Sequence, residues 1–236
     1  MRTFSVAHLI WIIAVALLAS VVPSLCRRKL VSPVILRYTL GGILAANELI
    51  RNLHDGFHFP NNLPIHLSTV LTWAAVIACF TLAPLAVEFT YFAGLVGAGM
   101  ALLTPDLHSA PASYATTRYF ISHGGIIVAA TTLVFGKITR LERGALWRAN
   151  GLVLIYAVFL GIFNRIFQVN YMYLSRKPKG PSILDLFGPW PAYLVVAELF
   201  CLGLFCLLSL AAQNFQRRTP ERTPQRQPSG ADRKGR

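Results

Sequence analysis

Apolar residues run along this chain in blocks of about 20, the length a helix needs to cross roughly 30 Å of hydrocarbon. Prolines, charges and polar clusters separate them. The pattern predicts seven membrane helices, at 7–25, 33–50, 64–82, 85–104, 118–137, 149–170 and 190–212. The fold class expected is therefore all-α, a polytopic membrane helical bundle. After Ala212 the composition changes to Gln213-Asn214-Phe215-Gln216-Arg217-Arg218 and then to a stretch rich in Pro, Arg, Thr and Gln that ends at Arg236. Such a segment has too little apolar surface to fold. The domain division expected is a transmembrane unit at 1–212 and a disordered basic tail at 213–236.

Composition closes off a soluble fold. Of 236 residues, 55% are hydrophobic and 13% are charged, about half the charge a soluble surface carries. The 4 cysteines, Cys26, Cys79, Cys201 and Cys206, lie in or beside apolar runs. They have neither a disulfide framework nor the C-x-x-C spacing of a zinc site. The first run is read as a retained helix rather than a signal peptide, because the stronger charge cluster, Arg27, Arg28 and Lys29, follows it.

The net charge of +13 is informative chiefly about orientation. With seven spans and the N-terminus outside, 15 basic residues fall on the cytoplasmic side and 6 outside, with Arg165 inside the membrane, in line with the positive-inside rule. The C-terminus is then cytoplasmic, and the expected location is the plasma or inner membrane, multi-pass. The seven basic residues of the tail suit anionic lipid. No nucleic-acid-binding motif accompanies the charge, so no nucleic-acid partner is expected.

Ionisable residues inside spans are expensive and usually functional. In the predicted orientation Asn47, Glu48 and Arg51 end helix 2 on the outer side, and His66 and Ser68 open helix 3. His123 enters with helix 5, and Asn164, Arg165, Gln168 and Asn170 leave with helix 6. These converge on a polar pocket in the outer half. Glu48 and Arg165 are expected to pair, directly or through Asn47 and Gln168, and Glu88 is expected to reach Lys137. Glu198, two turns into helix 7, is expected to face the pocket from below. Ser68 and His66 are about 200° apart around a helix, so a base for Ser68 must come from another helix. His123 matches it in depth, at about 7 Å into helix 5 against about 6 Å into helix 3.

The loop between helices 6 and 7 is dense in polar and aromatic residues, with Tyr171, Asp185 and Trp190 as further pocket or interface candidates. His54 and His58 have metal-chelating spacing if helical, but Gly56 and Pro60 favour a loop. No metal and no cofactor are expected, although a haem held by His66 and His123 is a third class worth testing. Ala93, Gly97 and Ala101 form a small-residue helix-packing face.

The motifs Leu63-Pro64-Ile65-His66-Leu67, Leu102-Leu103-Thr104-Pro105-Asp106-Leu107, Asn170-Tyr171-Met172-Tyr173-Leu174 and Gly188-Pro189-Trp190-Pro191, with Phe4-Ser5, His8, Glu48, Tyr91-Phe92, His123 and Asp185, give the chain its character. On these it resembles the YwaF-like family of integral membrane proteins, which includes a eukaryotic branch of phospholipid acyltransferases with a cysteine nucleophile. The resemblance places that cysteine at Ser68. It implies an acyl group taken by Ser68, His123 as general base and then acid, and the lipid phosphate held by Arg165 or the outer-loop lysines. The leading expectation is a lipid acyltransferase or lipid ester hydrolase acting on membrane phospholipid. The alternative is a carrier, receptor-like binder or accessory subunit for a small polar ligand or ion.

Overall fold

The computed structural model describes residues 3–105, 107, 109–178, 180 and 182–218. Seven helices account for most of them, and no strand forms among the described residues. The helices are α1 (Val6–Arg27), α2 (Pro33–Asp55), α3 (Leu67–Thr81), α4 (Pro84–Leu103), α5 (Tyr114–Phe135), α6 (Ala145–Phe167) and α7 (Ala192–Arg218).

Local chemistry sets most of their ends. Ser5 and Ser113 cap α1 and α5 by accepting from His8 N and Thr116 N. Pro33 and Pro84 start α2 and α4 at positions where a missing N–H costs nothing. Gly56, at φ 65°, stops α2. α2 continues five residues past its predicted end because its polar C-terminal turns stay helical. α3 begins at Leu67, since His66 just before it is extended. α7 reaches Arg218, so residues 213–218 are helical. Residues 219–236 of the expected tail lie outside the described residues.

Five helices, α1 and α4 to α7, are long and apolar enough to cross a membrane. α3 is apolar but has only 15 residues, and α2 carries charges along its length. Those two pack most extensively on each other, and α5 packs against α1, α2, α3 and α4. Small residues permit the close approach. A Cβ on Gly124 would lie 2.6 Å from Val15 of α1, one on Gly125 2.7 Å from Leu44 of α2, and one on Gly94 2.8 Å from Ile126.

The core gathers Leu44, Leu71, Ala75, Tyr91, Phe92, Ile126 and Phe205. α1, α6 and α7 instead expose large apolar side chains such as Ile10, Ile155 and Leu199, as hydrocarbon-facing helices do. Within α4, Thr90–Gly94 forms a turn of π-helix, in effect one residue inserted into the rod. The Tyr91 hydroxyl leaves this turn to donate to the Leu208 carbonyl at 3.0 Å, fastening α4 to α7.

Candidate functional site

The seam between α2 and α3 holds the densest polar chemistry. Ser68 heads a stripe that continues through Thr72, Ala75 and Cys79, all buried, at the spacing of one helix face. Ser68 itself is half-buried, at the helix start. The two helices touch where a Cβ on Gly41 would lie 3.0 Å from the Cβ of Cys79, and that contact fixes their register. Counting from it, Glu48 and Thr72 are each about 10 Å along, and Arg51 and Ser68 each about 15 to 16 Å. Glu48 also shares the helix face of Gly41 to within about 20°. Arg51 therefore lies level with Ser68 at the upper end of the stripe, and Glu48 about one turn below, level with Thr72.

Glu48 is 2% exposed, and its partner is Arg51, not Arg165. Arg51 Nε and an Nη donate to Oε1 of Glu48 at 2.8 and 2.5 Å. The expected Glu48–Arg165 pair does not form, because Arg51 lies one helical turn away and Arg165 is exposed on α6. Arg51 is among the outer-half polar residues of the sequence, but its role as the partner of Glu48 is new; the i, i+3 spacing is the signal for such a local pair.

Loop 56–66 is strapped across this end. The Tyr171 hydroxyl donates to Pro60 O at 2.8 Å and accepts from Leu63 N at 3.0 Å. Tyr156 donates to Ile65 O at 2.5 Å. Asn164 clasps the backbone of Tyr171 through both amide groups, at 2.9 Å each. Tyr171 and Asn164 thus position the entry to α3. The His66 ring lies 4.7 Å from the Tyr171 ring, edge to face. The side chain is exposed at the rim; partial desolvation of the ring by its neighbours and the nearby Arg51 charge push its pKa below the ordinary 6.5. Asn47 donates to Ser122 Oγ at 3.3 Å and extends the polar cluster to α5.

His123 belongs to a different seam. Its Nδ1 donates to the Tyr119 carbonyl at 2.9 Å and its ring stacks on Tyr119, which donates to Ala101 of α4. Gly124 faces α1, Ser122 and Gly125 face α2, and Ile126 faces α4. At 100° per residue, His123 points between α4 and α1 while Ser68 points between α3 and α2. Equal depth was legible in the sequence, but the helix faces divide the two residues. His66 sits against Tyr171 and His123 against Tyr119, so the two imidazoles have different neighbours.

The remaining candidates are spread over the surface or occupied. Gln168, exposed, donates to Arg165 O at the end of α6. Asn170 accepts from the amides of Ser175 and Arg176 and so closes its own loop. Asp185 accepts from Ser182 N and lies 3.9 Å from Lys177. Trp190 is exposed and donates to Leu174 O at 3.1 Å. Glu198 accepts from Asn150 of α6 at 2.9 Å, away from the α2–α3 seam. Glu88 pairs with Arg148, not Lys137, through two hydrogen bonds, one of them 2.8 Å. His54 ends α2 against Asp55, while His58 bridges to Asn62 in the loop.

The seam thus gathers a buried carboxylate and guanidinium on α2, a stripe headed by the Ser68 hydroxyl on α3 and the His66 imidazole at the rim. The family model for TMEM164, a transmembrane protein family, matches residues 3–209. The chain belongs to the TMEM164 family. The matched range takes in every element of the polar seam and all but the last turns of α7. Family membership and the apolar helices together make the chain a multi-pass membrane protein. No curated protein and no solved structure matches it.

Proposed function

We propose that the chain is a membrane-embedded lipid acyltransferase or lipid ester hydrolase whose centre is the α2–α3 seam, with membrane phospholipid as substrate. The observation that carries this reading is the register of the α2–α3 seam, which sets Ser68 level with Arg51 and about one helical turn beyond Glu48. In this scheme the Ser68 hydroxyl oxygen bonds to the ester carbonyl carbon and its proton passes to the Glu48 carboxylate. Arg51 faces the negative charge on the carbonyl oxygen. The lipid alcohol leaves with a proton, and a second alcohol or water then takes the acyl group from Ser68.

An apolar cleft of about 390 Å³ between α3, α4 and α6, lined by Val70, Phe89, Leu152, Ile155, Tyr156 and Phe159, is of a size to take an acyl chain on the side of α3 turned away from α2. With the predicted orientation, the site opens to the outer leaflet of the plasma or inner membrane. The chemistry needs neither metal nor cofactor.

Turnover of labelled phospholipid in liposomes tests the assignment. Ser68→Ala is expected to abolish it and Glu48→Gln to reduce it at least about 100-fold, whereas His123→Ala retains it. Full turnover by Ser68→Ala overturns the proposal. Loss in His123→Ala, with folding intact, restores the serine–histidine pairing read from depth. The same ion pair also fits a binder or carrier of a small polar ligand, in which Glu48 and Arg51 matter and Ser68→Ala is silent.

A further inference from the structure

The opposite end of the bundle carries a second feature that the seam does not explain. A cleft of about 620 Å³ lies between the loop before α6 and the last turns of α7. Arg140, Arg143 and Arg217 line it, against one carboxylate, Glu142, which lies 3.7 Å from Arg148. Arg140 donates to Gln216 O at 3.2 Å and joins the two walls. α6 begins in the cleft at Gly144, whose φ of 81° and lack of a side-chain cap leave the first-turn amides of Leu146 and Trp147 without helical partners. Gln216 Nε2 is buried there without a hydrogen-bond partner among the described residues. On the same lining, Phe92 and Leu141 are apolar and Trp147 is 66% exposed.

Clustered guanidinium groups and helix-start amides are complementary to a phosphate. Apolar walls and an exposed indole beside them suit a molecule with a hydrocarbon part, and indoles favour headgroup depth. We propose that this cleft binds the phosphate monoester headgroup of an anionic membrane lipid, with the acyl chains running along α6 and α7. The site is separate from the α2–α3 seam and stands whether or not that seam is catalytic.

The test titrates the full-length protein in detergent micelles with dioctanoyl phosphatidic acid and counts bound lipid by native mass spectrometry. Dioctanoyl phosphatidylcholine and inorganic phosphate are the comparison probes. One saturable phosphatidic acid site is expected. A basic residue near anionic lipid contributes about fivefold, so Arg140→Gln/Arg143→Gln/Arg217→Gln weakens binding roughly 100-fold. Arg143→Gln alone weakens it about fivefold and serves if the triple variant fails to fold. A variant with Arg222, Arg226, Arg233, Lys234 and Arg236 changed to glutamine retains the site. Wild-type binding by the cleft variants, loss of binding in the tail variant, or displacement of the lipid by equimolar inorganic phosphate each overturns the proposal.

Discussion

Replacing Arg51 with methionine removes the partner of a carboxylate that is only 2% exposed, while Arg51 itself is 8% exposed. Both hydrogen bonds from Arg51 end on the same oxygen of Glu48, so the substitution leaves that oxygen uncompensated inside the bundle. Breaking a buried pair on one side costs about 3 to 5 kcal/mol, whereas replacing both partners with apolar side chains of similar volume is neutral or stabilising. Arg51→Met is therefore expected to be less stable than wild type by about 3 to 5 kcal/mol, and Glu48→Met/Arg51→Met to recover most of that loss. Reversible unfolding in mixed micelles, followed by helicity as sodium dodecyl sulfate is raised, measures both. An ordinary interhelical hydrogen bond inside a membrane bundle averages about 0.6 kcal/mol, so the two magnitudes are well separated. A loss below about 1 kcal/mol in Arg51→Met, or a double variant no more stable than the single, refutes the description of the pair as buried and mutually dependent.

Four further outcomes follow from the same structure. Arg148→Ala strands the Glu88 carboxylate, 1% exposed, and is expected to destabilise more than Glu88→Gln, which leaves behind a cation able to reach solvent; thermal unfolding in detergent ranks them. Gly125→Ala, meeting Leu44 at 2.7 Å, is expected to cost about 1 to 3 kcal/mol. Gly161→Ala, with nothing within 4 Å of its Cβ, is neutral or gains up to about 1 kcal/mol. The His66 imidazole titrates below 6.5. The unfolded chain therefore takes that proton first, and this contribution to stability is present above about pH 6.5 and declines on acidification towards the folded value. Nuclear magnetic resonance of the ring reads the shift, and Arg51→Gln moves it back up.

The helices were legible because hydrocarbon-length apolar blocks are local signals. α2 starts at Pro33 as predicted, whereas α5 starts at Tyr114, four residues before the predicted 118, because Ser113 caps it there. The polar convergence of Asn47, Glu48, His66 and Ser68 was also visible, because depth along a helix needs only counting. What depth cannot supply is azimuth. Ser68 and His123 match in depth and point into different seams, since the neighbours of each helix decide which face meets which. Glu48 met Arg51 rather than Arg165 for a related reason: a partner one turn away on the same helix is available before any tertiary contact. The role of Tyr171 as a strap over loop 56–66 depends on contacts across 108 to 111 residues and left no local trace.

The π-turn at Thr90–Gly94 makes α4 a rod keyed differently at its two ends. Glu88, before it, engages Arg148 of α6; Gly94 and Gly97, from the turn onward, meet Ile126 of α5 and Leu71 of α3. One residue advances the azimuth by about 100°, so the extra residue is a phase offset between two sets of neighbours. Deleting any one residue of Thr90–Gly94 would turn Glu88 by that angle relative to Gly97 and unkey one end whichever end kept its place. What this stretch encodes is therefore its count as much as its chemistry, and it should accept substitution more readily than any change of length.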